Sequence, residues 1–124
     1  MTVDTKRRFS GIIRLFGQER FEIFQKSHVC VVGIGGVGSW AIESLVRHGV
    51  GAITLIDMDH IAESNINRQI HAVESTLGAS KIDAMRNRVL SINPKANIVC
   101  IDDFLTTENV KDYISSSHNF VIDA

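Results

Sequence analysis

The run Gly33-Ile34-Gly35-Gly36-Val37-Gly38 constrains this chain more than any other feature, because of what stands on either side of it. Upstream, His28 to Val32 is a short apolar, β-branched stretch, suited to a strand buried on both faces. Downstream, Val37, Ala41, Leu45 and Val46 recur at helical spacing as far as His48. Gly49 and Gly51 end that helix, and Ala52 to Ile56 reads as a second buried strand. Strand, glycine turn, helix and strand in this order predict a βαβ unit. In that setting G-x-G-x-x-G has a mechanical meaning. Gly33 permits a tight turn, Gly35 lets the backbone approach a phosphate, and Gly38 lets helix pack on strand. The helix N-terminus beyond offers an anion free N–H groups and a positive dipole end. Gly33, Gly35, Gly36 and Gly38 are thus the first cofactor-binding candidates; a glycine-rich turn with no ligand is the alternative.

The rest of the chain fits around this unit. Residues 5–26 place Phe9, Ile12, Ile13, Phe16, Ile23 and Phe24 at helical spacing, with Gly17 dividing two short helices. Residues 58–76 are rich in Asn, His, Ser and Glu, and such a long irregular connection is usually functional or disordered. Ile82, Met85, Val89 and Ile92 mark a helix ending before Asn93-Pro94. Asn97 to Ile101 is expected to be a third strand, Thr106 and Thr107 to cap a helix running to about Ile114, and Asn119 to Ile122 to be a fourth strand. The fold class is α/β: a Rossmann-like, mainly parallel sheet with an N-terminal helical segment at 1–27 and a nucleotide-binding domain at 28–124.

Composition adds exclusions. With 124 residues, 44% apolar and 22% charged, the chain is sized and built as one globular domain. A net charge of −1 excludes whole-chain electrostatic attraction to nucleic acid; Arg7, Arg8, Arg14, Arg20 and Lys26 are its one basic cluster, equally readable as a solvated helix face. Cys30 and Cys100 sit in apolar runs without a Cys-x-x-Cys pair, and read as buried hydrophobes in a reducing compartment. With no signal-peptide core and no membrane-length apolar run, the expectation is a soluble cytoplasmic protein.

Asp57 ends the second strand, 24 residues after Gly33, where a carboxylate can accept hydrogen bonds from ribose hydroxyls. That role is common to NAD and adenosine nucleotides. The long connection discriminates. Asn65, Arg68 and Gln69 form N-x-x-R-Q, and Lys81 begins the next helix. A dinucleotide already held by the glycine loop needs few cations there. A triphosphate attacked at its α-phosphorus needs several, because charge builds in the transition state. Asp123, at the carboxyl end of the fourth strand, could hold the Mg²⁺ that accompanies a triphosphate.

Together GxGGxG, Asp57-Met58-Asp59, Asn65-x-x-Arg68-Gln69, Lys81 and Asp123 resemble the ubiquitin-activating, ThiF-like superfamily of adenylating enzymes. The wording GIGGVGSW, ITLIDMD and NRQIHA resembles its tRNA threonylcarbamoyladenosine dehydratases, over about Arg8 to Ala124. The resemblance implies ATP and Mg²⁺ as cofactors. It places Gly35 and Gly38 in the nucleotide loop with Asp57 on the ribose and Asp59 beside it. Asn65, Arg68, Gln69 and Lys81 would lie along the triphosphate, Arg68 and Lys81 as catalytic cations, and Asp123 would hold the metal. The implied reaction activates the carboxylate of threonylcarbamoyladenosine in tRNA, releases pyrophosphate, and lets an internal nucleophile close a ring and expel AMP. It further implies a homodimer, tRNA as partner, and a sulfur-transfer or cysteine desulfurase protein as another.

Two departures matter. Superfamily members often carry an aromatic-Ser-Arg-Gln stretch whose Arg reaches the neighbouring subunit's ATP site; here Phe9-Ser10-Gly11-Ile12 puts glycine in that place, and Arg14 is the expected substitute, acting in trans. The family also continues past the fourth strand, so this chain is expected to be the N-terminal part of a larger domain, inactive alone. Competing functions are adenylation of a sulfur-carrier protein's C-terminus, an NAD-dependent oxidoreductase, which Arg68, Gln69 and Lys81 disfavour, and a non-catalytic nucleotide-binding subunit.

Overall fold

In the computed structural model, which describes residues 3–124, three helices lead into the alternating part of the chain: α1 (Thr5–Arg8), α2 (Ser10–Phe16) and α3 (Gln18–Lys26). Then come β1 (His28–Val32), α4 (Gly38–Arg47), β2 (Ala52–Ile56), α5 (Lys81–Ile92), β3 (Asn97–Ile101), α6 (Val110–Tyr113) and β4 (Phe120–Asp123). The four strands form one sheet, all parallel, in the order β3-β2-β1-β4. Val32 pairs with Ile56 and with Asp123, and Ile56 pairs with Ile101, so all four strands end in one row. Strand order reverses between β1 and β4, and at such a switch point a crevice opens beyond the carboxyl ends.

Burial explains why β1 and β2 are so plainly written in sequence. Both are inner strands, and Cys30 and Val31 on opposite faces of β1 are completely buried. One sheet face presents Val29, Val31, Ile53 and Leu55 to Ile42 and Val46 of α4 and Ile82, Met85 and Val89 of α5. Each such side chain, fully buried, contributes about 1.5–3 kcal/mol. Between the two helices Glu43, only 8% exposed, accepts from Arg88 across the interface and from Arg47 one turn on. On the opposite face Thr54 Oγ1 lies 2.6 Å from His28 Nε2 and 3.2 Å from His118 Nε2.

The N-terminal helices close the amino end of the sheet. Gly51 N–H donates to Phe24 O, the Arg8 guanidinium to Ile92 O at the end of α5, and Phe16 lies against His48 at the end of α4. Phe21 is buried on Phe9 and against Gly49, whose φ of +86° suits glycine.

Gly17 divides α2 from α3 as its position predicts, while an additional turn, α1, is capped by Asp4 accepting from Arg7 N–H. Three expectations need correction. The helix expected from Thr106 is regular only over α6, although Thr106 caps it as expected: Thr106 Oγ1 accepts from Glu108 and Asn109 N–H, Asn109 Oδ1 accepts from Thr106 N–H, and Thr106 O accepts from Val110 N–H. The fourth strand runs one residue later than expected, Phe120–Asp123, although Asn119 already bonds to β1, its N–H donating to His28 O and its Oδ1 accepting from His28 N–H. Cys100 is exposed, since β3 is an edge strand; only Cys30 is the buried thiol expected of both. Residues 58–76 are ordered around two 3₁₀ turns, Glu63–Asn65 and Glu74–Thr76.

Candidate functional site

The turn after β1 is wound tightly by its glycines. Gly33 adopts φ +88°, and a Cβ there would strike the Ala124 carbonyl. A Cβ on Gly38 would overlap the Gly33 carbonyl, so helix α4 can start here only without a side chain. Gly33 N–H donates to Ile56 O and Ile34 N–H to Asp57 Oδ2 at 2.7 Å. The next four N–H groups, of Gly35, Gly36, Val37 and Gly38, find no acceptor among the described residues; bonding resumes at Ser39, to Gly35 O. Four free donors at the start of a ten-residue helix have the geometry that suits an anion.

Asp57 fastens the loop to β2. It is 7% exposed, with Oδ2 on Ile34 N–H and Oδ1 on Asp59 N–H, each oxygen keeping a lone pair for a further donor. Beside it lies a cleft of about 280 Å³ whose walls include Gly33, Asp57, Asp59, Asp103, Phe104 and Leu105. The far wall is held by Asn109 Nδ2 donating to Phe104 O, and by Tyr113 O–H donating to Asp103 at 2.6 Å. That phenol bond, with others from Phe104 N–H and Asn109, holds the Asp103 carboxyl below the ordinary carboxylate range.

The connection 58–80 lies over the glycine loop. Asn65, buried, accepts from Ala62 N–H at 2.8 Å and shapes the first 3₁₀ turn. The Arg68 stem passes 3.6 Å from where a Gly36 Cβ would stand, its guanidinium bonded to Ser64 O and Asn67 Oδ1 and its carbonyl held by the Trp40 indole N–H. Gln69 Nε2 lies similarly over Gly35, at 3.7 Å. Gln69 Oε1 and His71 Nδ1 are buried without a partner among the described residues. His71 Nε2 donates to Ile34 O at 2.9 Å. Burial lowers the His71 pKa, against the raising effect of that bond, and nearby Lys81 lowers it further. Lys81 is 7% exposed and has no carboxylate within ion-pair distance among the described residues. A side chain held this closely, with no carboxylate to neutralise its ammonium, leaves that charge available to a bound anion.

A model of the ThiF family matches residues 9–124. This chain belongs to the ThiF family. It is 50% identical over 119 residues to the tRNA threonylcarbamoyladenosine dehydratase of Escherichia coli, covering 96% of this chain and 44% of that protein. To the Haemophilus influenzae protein of the same name it is 47% identical, covering 96% and 46%. The crystal structure of the E. coli tRNA N6-threonylcarbamoyladenosine dehydratase in complex with ATP is similar with a TM-score of 0.96 and 48% identity, over 100% of this chain and 51% of that one. The chain therefore spans about half the length of the relatives it matches.

In this ThiF chain the fold brings the four glycines, Asp57, Asp59, Asn65, Arg68, Gln69 and Lys81 to the carboxyl end of the sheet. Asp123 joins them: its register opposite Val32 sets an exposed carboxylate one residue from Gly33. One carboxylate beside free backbone N–H groups fits Mg²⁺, which is commonly held by one or two carboxylates plus substrate phosphates; among the described residues no cluster of three ligands offers a protein-only cage. Arg14 is not brought in. It is exposed on α2, at the amino end of the sheet. Sequence reasoning missed Trp40, His71, Asp103, Phe104 and Leu105. His71 stands inside the phrase NRQIHA, but nothing in its spacing shows that its ring reaches Ile34. No helix of the described residues is long and apolar enough to cross a membrane.

Proposed function

We propose that this crevice binds ATP and directs attack of a carboxylate on its α-phosphorus, the carboxylate being that of threonylcarbamoyladenosine in tRNA. One observation carries the reading: four backbone N–H groups and the largely buried Lys81, all without a partner among the described residues, gather at the same sheet end. The similarity to ATP-bound tRNA threonylcarbamoyladenosine dehydratase supports it.

The glycine loop takes phosphate oxygens, Asp57 accepts from ribose hydroxyls, and the adenosine end occupies the cleft walled by Phe104 and Leu105. Asn65 and Gln69 act as neutral donors, and Asp59 lies at the rim. A substrate carboxylate oxygen bonds to the α-phosphorus while the bond to the bridging oxygen breaks, and pyrophosphate leaves with the electron pair. Arg68 and Lys81 stabilise the charge that accumulates on the phosphoryl oxygens. Asp123 would hold Mg²⁺, which screens phosphate charge when bound. An internal oxygen or nitrogen of the modified nucleoside then attacks the acyl carbon, AMP departs, and the ring closes with net loss of water.

Arg14 acts in trans, across a homodimer. Its place at the far end of the sheet puts its own nucleotide loop out of reach, so a partner's site is the one it would serve. A sulfur-transfer protein as further partner, and a cytoplasmic location, belong to the same reading. The test is ATP–pyrophosphate exchange by the full gene product with bulk tRNA supplied or withheld. Exchange that depends on tRNA is expected; exchange that tRNA leaves unchanged would contradict the assignment of acceptor. Arg14→Ala should reduce the exchange, and an undiminished rate would remove the trans role.

A further inference from the structure

We infer that His71 is a positioning residue for the nucleotide loop: by holding the Ile34 carbonyl it aims the Gly35 N–H at the bound phosphate. The inference rests on the ATP reading above and adds a residue to it.

The argument starts from one peptide unit. Ile34 is completely buried, and its backbone is gripped at both polar atoms: the N–H donates to Asp57 Oδ2 at 2.7 Å, and the carbonyl accepts from His71 Nε2 at 2.9 Å. The Ile34–Gly35 peptide is trans, so its carbonyl and the following N–H point in opposite directions. With the carbonyl turned inward onto His71, the Gly35 N–H faces away from it, and that N–H is the first of the four without an acceptor. Glycine at 35 would otherwise leave this peptide free to rotate.

His71 also ties two segments together. Residues 68–71, which carry Arg68 and Gln69, are fastened to residues 34–40 at three points. Trp40 Nε1 donates to Arg68 O at an exposed position, Ile70 N–H reaches Ser39 Oγ at 3.4 Å, and the His71 bond is the one that is buried. One imidazole therefore sets the orientation of the loop and the height of the cation-bearing segment above it. The bond requires a proton on Nε2; in the neutral ring Nδ1 is then an acceptor, and Nδ1 is buried without a partner among the described residues.

The test compares His71→Leu, His71→Asn and His71→Gln in the full gene product, measuring KM for ATP and kcat in pyrophosphate exchange, with melting temperatures alongside. Gln carries an amide donor to about the position of Nε2; Asn is too short, and Leu has no donor. The expected result is a KM raised about tenfold in His71→Leu and His71→Asn with kcat at saturating ATP much less affected, and a KM within about threefold of wild type in His71→Gln. Should His71→Leu fail to fold, the Asn and Gln pair decides. A wild-type KM in His71→Asn, or a His71→Gln no better than His71→Asn, would overturn the inference. Failure of the wild-type protein to bind ATP at all would instead remove the reading on which it rests.

Discussion

Asp57 at the end of β2 holds the backbone N–H of Ile34 at 2.7 Å, across the gap between β2 and the turn that leaves β1. The same carboxylate holds Asp59 N–H with its other oxygen. Asp57→Ala leaves both donors without their acceptor, so it should cost about 1–3 kcal/mol of stability in urea unfolding. The same change should weaken ATP binding by tenfold or more, measured by calorimetry. A variant with unchanged stability would show that the latch is not formed in solution.

Lys81 should separate stability from function. Its side chain is mostly buried and its ammonium has no ion-pair partner among the described residues, so Lys81→Met, which keeps the apolar stem, is expected to leave the ligand-free protein about as stable as wild type. ATP affinity should nevertheless fall by about tenfold or more. Parallel losses in both measurements would mean that Lys81 is a structural residue.

Two glycines should respond with opposite signs. Gly38→Ala drives a methyl group into the Gly33 carbonyl and against Ala124, for a loss of about 1–3 kcal/mol. Gly11→Ala lies within α2 with open space around it, and should gain about 0.5 kcal/mol. Urea midpoints at matched slopes check both.

The pH dependence follows from His28 and Glu43. Burial, then the charge of His118, lowers the His28 pKa below 6.5, and His71 is lowered in the same direction. The unfolded chain therefore takes up protons first as pH falls through 6.5, and stability declines from there down to the folded pKa values. Burial alone would raise the Glu43 pKa, but Arg88 and Arg47 outweigh it and bring it below 4.5. Its contribution is present above 4.5 and is lost as pH falls through the lower folded value. Melting temperatures between pH 7.5 and 5.5 should fall, and His28→Gln should make the fall shallower.

Much of this architecture is legible in the residues, for reasons that differ by element. β1 and β2 are inner strands with no solvent face to supply polar alternation, so they appear as unbroken apolar runs beside their glycines. The span 106–114 is legible at its start, where Thr106 and Asn109 close a capping box, but only Val110–Tyr113 is regular helix. Gly35, Asp57, Arg68 and Lys81 announce themselves by type and spacing. His71, Trp40 and Phe104 do not, since their part depends on which backbone atoms the fold brings within reach of them.

The central claim, that this crevice is built for a nucleoside triphosphate, is tested most directly by titrating the full gene product with Mg-ATP and, separately, with NAD. The account predicts saturable binding of Mg-ATP, weakened by Lys81→Met, with no comparable binding of NAD. Binding of NAD without binding of Mg-ATP would contradict it.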